Sequence, residues 1–355
     1  MNPAFWLNRR VVVTGHTGFK GSWLCLWLQA LGAEVTGYAL EPATAPSLFE
    51  IAKLSRNMDS TIGDVRDLAA VRECLRNARP EVVIHMAAQS LVRPSYADPV
   101  GTYQTNVLGT VNLLEASRGL ASVRAVVVVT SDKCYENREW AWGYRESDRL
   151  GGRDPYSNSK GCAELVTAAY RSSFFANLEP HVGVSTARAG NVIGGGDWAL
   201  DRLVPDVITS FVNRNTVVLR HPTAVRPWQH VLEPLGGYLT LAERLFQDPI
   251  SYAEGWNFGP SDDDARPVSW VVAQLAHLWG GATEWVASDG EHPHESHYLK
   301  LDCSKARAGL GWKPRLDLLT AIAWVVEWYQ AYYSGRDAAE LAREQIQRYG
   351  NLFTS

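Results

Sequence analysis

The sequence predicts an α/β fold: a doubly wound parallel sheet followed by a smaller C-terminal domain. Three observations support this prediction. Short apolar runs alternate with amphipathic stretches in the first half, most of those runs are apolar on both faces, and a glycine-rich turn follows the first of them. Strands that are apolar throughout are typical of parallel sheets covered by helices on both sides.

The predicted elements follow one another in strand–helix order. Helices are expected at 19–31, 68–77, 96–118 and 156–176, and strands at 11–13, 34–39, 81–86, 124–130 and 181–188. After Gly194–Gly196, prolines interrupt this regularity. We therefore place the domain boundary after residue 190, giving domains 1–190 and 191–355, and expect part of the second domain to cross back onto the sheet. The tail 318–348 has a helical pattern.

Composition excludes several classes of function. The 355 residues carry 34 basic and 38 acidic side chains, a formal charge of -4, which gives no support to a nucleic-acid or membrane-surface partner. Five scattered cysteines argue against a disulfide framework. No targeting segment and no run of membrane-spanning length is apparent. We expect a soluble, cytoplasmic protein.

The glycine-rich turn spans Thr14–Gly21 with the spacing Gly-x-x-Gly-x-x-Gly. Between a first strand and a first helix, this spacing is typical of a Rossmann-type dinucleotide site, because glycines let the pyrophosphate approach the helix N-terminus. His16 and Lys20 are bulky for such a turn. At the ribose position after Tyr38 there is no acidic residue, and there is no arginine to favour a 2′-phosphate either. We therefore favour NAD over NADP and expect NAD to be held less tightly than usual.

The complete set of predicted cofactor contacts comes from four strand ends and two helices. It comprises Gly15, His16, Thr17, Gly18, Phe19, Lys20, Gly21, Tyr38, Asp64, Val65, Ala87, Ala88, Asn106, Tyr156 and Lys160.

A redox centre is predicted from Tyr156 and Lys160, which lie four residues apart and so share a helix face. Lys160 can lower the pKa of the Tyr156 phenol and bind a ribose hydroxyl, so that Tyr156 accepts a proton from a substrate alcohol while hydride leaves to NAD. Ser131, at the end of the predicted strand 124–130, can hydrogen-bond the same hydroxyl, since ligands bind at the carboxyl ends of such strands.

Asp132 and Lys133 suggest a second step. Oxidising a sugar at C4 acidifies the proton on C5. Asp132 is the candidate acid that protonates the departing C6 hydroxyl, and burial would raise the pKa of Asp132 as this role requires. Lys133 is the candidate base at C5. The alternatives are a relay shared by Asp132 and Lys133, or a purely structural ion pair in a turn.

These motifs together resemble the extended short-chain dehydrogenase/reductase family across nearly the whole chain. Within it, Ser131-Asp132-Lys133 resembles the triplet of the nucleotide-sugar 4,6-dehydratases, which is usually Thr-Asp-Glu. The stretches 15–23, 191–198 and 226–231 carry the same resemblance. The departures from the usual pattern are His16, Lys20, Tyr38 and Lys133.

The resemblance implies a lyase with an internal redox cycle. Hydride leaves C4, water is lost across C5 and C6, and the hydride returns at C6. It also implies NAD as cofactor and CDP-D-glucose as substrate, in the biosynthesis of deoxysugars such as those of O-antigen lipopolysaccharide. A homodimer is implied too, formed by pairing helices 96–118 and 156–176 with their symmetry mates into a four-helix bundle, with a higher oligomer as the alternative.

The predicted substrate contacts lie near the domain junction: Gln89, Asn191, Arg202, Arg226 and Tyr298. The two arginines suit a diphosphate, because guanidinium groups match phosphate oxygens. The segment 292–297 contains three histidines without zinc-ligand spacing, so we predict a polar substrate loop and no metal site.

Two other functions remain open at this point. The first is another enzyme of the same fold, such as a 4-epimerase or a GDP-mannose-type dehydratase, although an epimerase has no need of an acid and a base beside the tyrosine. The second is a non-catalytic module that senses NAD.

Overall fold

The computed structural model describes residues 1–280, 285–288, 290 and 298–353. Among these residues, seven parallel strands form one sheet in the order β10-β6-β5-β4-β1-β2-β3. The strands are β1 (Arg10–Thr14), β2 (Glu34–Ala39), β3 (Asp59–Ile62), β4 (Val82–His85), β5 (Ala125–Val129), β6 (Gly183–Ala189) and β10 (Gly255–Phe258). The predicted doubly wound α/β sheet is confirmed.

Alternating side chains along the strands build a core on each face of the sheet. Val11 and Val13 of β1 face a layer formed by α2 (Phe19–Ala30), α10 (Leu232–Gln247), α13 (Leu318–Tyr333) and α14 (Ala338–Asn351). Val12 faces the opposite layer of α4 (Leu68–Ala78), α7 (Gly109–Arg118) and α8 (Pro155–Ser173). The helices therefore cover both faces, as strands without a polar side require.

The helix predicted at 96–118 is divided into several elements. They are α5 (Val92–Ala97), α6 (Pro99–Tyr103), a π-helical turn (Gln104–Leu108) and α7. The break lies at Asp98, whose backbone is not helical and whose carboxylate accepts a hydrogen bond from Gly101 N at 2.9 Å. A proline at 99 disfavours helix at the residue before it and starts α6 at its first position.

The tail predicted as one helical stretch forms two helices, α13 and α14. Gly335 between them has φ +96°, a left-handed conformation that glycine adopts without steric cost. The carboxylate of Asp337 then caps α14 by accepting from Glu340 N. Because of this turn, α14 can return to pack on α2 beside the first strand.

The chain after residue 190 contributes both to the sheet and to a separate region above it. Strand β10 pairs with β6 at the edge of the seven-stranded sheet. Two small sheets use β7 (Asn191–Ile193), β8 (Val217–Leu219), β9 (Val225–His230), β11 (Ala265–Pro267) and β12 (Trp285–Ala287). The remaining helices are α1 (Pro3–Trp6), α3 (Leu48–Ile51), α9 (Leu203–Asn213), α11 (Val268–Trp279) and α12 (Ser304–Leu310). Within the described residues, no helix is long and apolar enough to cross a membrane.

Candidate active site

The glycine-rich turn is closed by backbone packing that leaves no room for side chains at two of its glycines. Gly15 has φ +76°, and a Cβ there would lie 2.7 Å from Ala87 N. A Cβ on Gly21 would lie 2.1 Å from Gly15 O. At Gly18 the nearest atom would be 3.4 Å away, and this residue is exposed. The turn is therefore packed against backbone at Gly15 and Gly21 and open at Gly18. The opening lies at the N-terminus of α2, where an anion binds favourably.

A cleft of about 340 Å³ runs from this turn along the ends of β1, β2, β4 and β5. Asp64 lines it after β3, with its carboxylate paired to the guanidinium of Arg66 at 2.5 Å. The sequence-predicted cofactor residues that line the cleft are Gly15, Thr17, Gly18, Phe19, Lys20, Gly21, Asp64, Val65, Ala87, Ala88, Tyr156 and Lys160.

Three side chains predicted to contact the cofactor lie away from this cleft. The ring of His16 is buried, with Nε2 2.7 Å from Ser60 Oγ, and it packs against Gly37. The Tyr38 ring is buried under Gly63 and donates its hydroxyl to the carbonyl of Asp64. Their bulk therefore lies in the protein interior and takes no space from a ligand in the cleft.

Asn106 is the third, and it joins the loop after β4 to α8. Its Oδ1 accepts from Gln89 N at 2.9 Å, while Nδ2 donates to Gln89 O and to Ser159 Oγ. All the polar atoms of this amide are used by the protein, so Asn106 supports the cleft from beneath.

A second cleft of about 520 Å³ meets the first at the carboxyl end of β5. It extends between β7, α9 and β8. Its lining includes Lys20, Ser131, Asp132, Lys133, Tyr156, Asn191, Arg202 and Arg226. Because Lys20, Tyr156 and Arg202 line both clefts, a ligand in one would lie next to a ligand in the other at these residues.

The Ser131–Lys133 triplet follows β5 after Thr130, and Ser131 caps a short 3₁₀ turn that spans Asp132–Cys134. Ser131 Oγ donates to Asp132 Oδ1 at 2.9 Å and accepts from Lys133 N at 3.2 Å. Asp132 is 2% exposed, and its Oδ2 accepts no hydrogen bond from any described residue. Burial raises the pKa of Asp132, although the Lys133 charge and the Ser131 hydrogen bond act in the other direction. A carboxyl group in this state is prepared to carry a proton.

Tyr156 and Lys160 lie one turn apart on α8 and are both buried. Burial raises the pKa of the Tyr156 phenol to about 12, opposed by a hydrogen bond with Ser131. This direction is opposite to the lowering expected from Lys160, because loss of hydration disfavours the phenolate more than the surrounding charges favour it. Burial lowers the pKa of Lys160 to about 8, opposed mainly by the Glu164 carboxylate.

Lys20 is half-buried where the two clefts meet. Its Nζ lies 5.8 Å from the ring centre of Tyr238, whose buried hydroxyl has no hydrogen-bond partner among the described residues. Burial, together with the Lys160 and Arg202 charges, lowers the pKa of Lys20 to about 7. Lys20 therefore brings an amine of lowered pKa to the place where the two clefts meet.

The two predicted diphosphate arginines differ in their surroundings. Arg202 is paired with Asp197 at 2.9 Å and donates to Ser90 Oγ at 3.0 Å. Arg226 is buried on β9, and its charge opposes the rise that burial causes in the pKa of Asp132. Arg226 is thus held in place from the side of the small sheet, whereas Arg202 is oriented by a carboxylate.

Two predicted substrate residues do not line the large cleft. The Gln89 side chain is used locally: its amide nitrogen donates to Leu91 O at 2.9 Å, and its oxygen accepts from Leu91 N at 2.6 Å. The Tyr298 hydroxyl donates to Ala141 O at 3.4 Å, and Tyr298 bridges to Val225 through its backbone. Both side chains are turned towards neighbouring backbone.

The predicted polar loop at 292–297 lies outside the described residues. Among the residues that are described, no three His, Cys, Asp or Glu side chains come close enough together to hold a metal ion.

A buried polar network beneath the triplet was not anticipated from the sequence. Glu164 on α8 accepts hydrogen bonds from Thr130 and Thr186, and it pairs with Arg188 of β6 at 2.7 Å. The available signal was an arginine in a predicted buried strand, together with an acid two helical turns after Tyr156. Distant segments supply the partners, so local spacing could not pair them.

We predict that Asp132→Asn stabilises the folded protein at neutral pH. The pKa of this carboxyl is raised in the folded protein. Its ionisation therefore destabilises the fold as the pH rises from the unfolded pKa through the folded pKa. The amide of the variant carries no charge to bury at any pH. The midpoint of thermal unfolding should therefore rise at neutral pH, and the difference from wild type should shrink in acid.

Asp64→Asn is the matched control with the opposite sign. The hydrogen bond from Arg66 lowers the pKa of Asp64, so its carboxylate adds stability above the unfolded pKa, and that contribution is lost as the pH falls. A fall in the unfolding midpoint of Asp132→Asn at neutral pH would show that the ionised carboxylate is stabilised where it lies.

Comparison with known proteins agrees with this geometry. The family described as GDP-mannose 4,6 dehydratase matches residues 12–252. A CDP-glucose 4,6-dehydratase of Salmonella typhimurium is 55% identical over 353 residues, which are 99% of this chain and 98% of that protein. A dTDP-glucose 4,6-dehydratase of Xanthomonas campestris is 27% identical over 92% of this chain and 93% of its own.

Solved structures show the same fold. The dTDP-glucose 4,6-dehydratase of Streptomyces venezuelae, with NAD and TYD bound, superposes with a TM-score of 0.77 at 24% identity, covering 93% of this chain and 99% of that one. The UDP-glucose 4-epimerase of Thermus thermophilus, in complex with NAD, gives 0.77 at 25% identity, covering 90% and 98%. With the family match extending over more than half of its length, this chain belongs to the GDP-mannose 4,6 dehydratase family of the extended short-chain dehydrogenases/reductases.

Proposed function

We propose that this chain is an NAD-dependent hydro-lyase that converts CDP-D-glucose into CDP-4-keto-6-deoxy-D-glucose. The observation that carries the proposal is the buried acid Asp132 beside Tyr156 and Lys160 at the junction of two clefts. The choice of CDP-D-glucose rests on the 55% identity to a protein named CDP-glucose 4,6-dehydratase.

The residues of the smaller cleft fit NAD. The open space above Gly18, at the N-terminus of α2, suits a pyrophosphate, because a Cβ at Gly15 or Gly21 would collide with backbone while Gly18 faces outward. Asp64 and Val65 would hold the adenine end, and Lys160 a ribose hydroxyl at the other. When bound, NAD supplies the hydride acceptor at the start of the cycle and the hydride donor at its end.

Tyr156 acts first, as the base that takes the proton of the C4 hydroxyl. Ser131 hydrogen-bonds Tyr156 and favours its phenolate form. The Lys160 ammonium, one helical turn away, adds a positive charge to the same buried region. Placing Tyr156 on α8 next to Ser131 at the end of β5 removes much of the cost of orienting the base and the hydroxyl.

Asp132 and Lys133 then remove water. Lys133, as the neutral amine, takes the C5 proton, and the C5 electron pair forms the C5–C6 double bond as the C6–O bond breaks. Asp132 gives its proton to the departing hydroxyl, which leaves as water. The raised pKa of Asp132 keeps that proton available. The alternative, in which Asp132 and Lys133 share the C5 proton as a relay, uses the same two side chains.

The larger cleft suits the nucleotide part of the substrate. Leu203 and Val204 line it at the N-terminus of α9, where backbone amides favour a diphosphate. Arg202 and Arg226 place guanidinium groups on the same cleft. Asn191, at the start of β7, lies between this region and the reaction centre.

The competing functions account for fewer of these features. A 4-epimerase requires oxidation at C4 but no acid for a C6 hydroxyl, so the buried Asp132 would have no task. A module that only senses NAD requires neither Asp132 nor a second cleft beside Tyr156. The relatives named UDP-glucose 4-epimerase are 27% identical, far below the Salmonella protein.

Incubating the purified protein with NAD and CDP-, dTDP-, UDP- or GDP-glucose tests the substrate directly. A 4-keto-6-deoxy product should form fastest from CDP-D-glucose, as measured by mass spectrometry. Tyr156→Phe should lower turnover by roughly a hundredfold or more, because it removes the base. Equal turnover in Tyr156→Phe would contradict the role of the tyrosine, and a preference for another nucleotide would contradict the substrate.

We also propose that the chain forms a homodimer through the outer faces of α5–α8. Val100, Leu108 and Leu165 on these elements are more than half exposed, which is unusual for large aliphatic side chains on neighbouring helices. Pairing this face with its symmetry mate would bury them in a four-helix bundle. Exposed apolar side chains on helices that pack side by side support an isologous contact.

Leu165→Glu should convert the dimer to monomer, because it places a charge at the centre of that contact. Sedimentation velocity at micromolar concentration gives the mass. Leu319→Glu is the matched control, since Leu319 is 51% exposed on α13, away from the bundle. A wild-type monomer, or a Leu165→Glu dimer as stable as wild type, would exclude this interface.

A further inference from the structure

The Glu164 carboxylate is fully enclosed beneath the reaction centre. It is 3% exposed and lies on α8 one turn after Lys160 and two turns after Tyr156, so the three residues share one helix face. A buried carboxylate is costly unless several hydrogen bonds and a positive charge compensate it. The groups that compensate the Glu164 charge therefore indicate which parts of the site Glu164 holds together.

Glu164 accepts from three donors at the carboxyl ends of β5 and β6. Thr130 Oγ1 donates to Oε1, while Thr186 Oγ1 and Arg188 Nη2 donate to Oε2 at 2.6 and 2.7 Å. Thr130 is the residue directly before Ser131. The carboxylate thus joins α8 to the strand end from which the reactive triplet begins.

Arg188 carries the same network to the other side of the triplet. Its Nη1 donates to the Tyr135 hydroxyl at 2.7 Å, and that hydroxyl donates to Asn257 Oδ1 of β10 at 2.7 Å. Tyr135 follows the 3₁₀ turn Asp132–Cys134. The residues before and after the triplet are therefore both fixed to the one Glu164–Arg188 pair.

The charges around Lys160 give Glu164 a second role. Lys160 is 6% exposed, and its Nζ is 3.4 Å from the carbonyl of Val129, a long hydrogen bond. Burial disfavours the ammonium form of Lys160. Glu164 and Cys134 act in the opposite direction and favour the ammonium. The Lys160 charge acts to lower the pKa of Lys20 on α2 and of His85 on β4.

We propose that Glu164 is a positioning residue for the redox step: it keeps Lys160 charged and holds Ser131 in register with Tyr156. The proposal rests on the dehydratase function for its kinetic consequence only. The protonation of Lys160 is a property of the protein without substrate, so the two can fail separately.

Glu164→Gln is the direct test, because it keeps the shape and removes the charge. The pKa of Lys160, followed by NMR of ¹³C-labelled lysine and assigned with Lys160→Arg, should fall by roughly one unit or more when a buried opposite charge is removed. Since the active form needs Lys160 protonated, the alkaline limb of turnover should move to lower pH, and kcat should fall roughly tenfold or more with little change in KM.

Glu233→Gln is the matched control. Glu233 is also buried and accepts from Arg315 N, Leu316 N and the Tyr349 hydroxyl at 2.7–2.8 Å, in the layer formed by α10 and α14. It should change thermal stability and leave both the Lys160 titration and the alkaline limb unchanged.

A Lys160 pKa in Glu164→Gln equal to that of wild type would overturn the proposal, as would a uniform loss of activity at all pH values. Where Glu164→Gln does not fold, Glu164→Asp gives the same decision, because it withdraws the charge from Lys160 and should lower the Lys160 pKa by a smaller amount. Normal lysine titrations combined with no turnover of any nucleotide sugar in wild type would count against the proposed function alone.

Discussion

The junction between the end of β5 and the first half of α8 determines the rest of the site. Lys160 donates to Val129 O, Glu164 accepts from Thr130, and Ser131 bonds Tyr156, so three successive residues of one strand end contact three successive turns of one helix. Because these contacts are buried, water does not compete for their hydrogen bonds. The triplet and the tyrosine therefore form one rigid unit, and both clefts meet on it.

Burial also explains the electrostatic state of this unit. Loss of hydration raises the pKa of Asp132 and Tyr156 and lowers the pKa of Lys160 and Lys20. All four shifts favour the neutral forms. This suits Asp132 as a proton donor, whereas the Tyr156 phenolate and the Lys160 ammonium of the proposed mechanism depend on neighbouring groups that oppose burial. Oδ2 of Asp132 has no hydrogen-bond partner among the described residues, and this is a local cost of the kind expected where function overrides stability.

The sequence predicted β1, β2, β4, β5 and β6 of the large sheet, because local pattern identifies these runs, but it gave no bounds for β3, which is mostly exposed, or for β10. It brought Ser131, Asp132, Tyr156 and Lys160 to one place by the rule that ligands bind at strand carboxyl ends. It did not predict which way side chains point. His16 and Tyr38 turn inward because Gly37 and Gly63 leave space beneath them, and Gln89 turns to its own loop. The Glu164–Arg188 pair joins residues on separate elements, and the break at Asp98 depended on one capping carboxylate.

The central claim is that oxidation, loss of water and reduction all occur on one bound sugar between Tyr156 and Asp132. The most direct measurement uses CDP-D-glucose carrying deuterium at C4, mixed with unlabelled substrate and converted in one reaction. The account predicts that the deuterium appears at C6 of the same molecule, with no exchange between labelled and unlabelled sugars. Deuterium lost to solvent, kept at C4, or scrambled between molecules would contradict it.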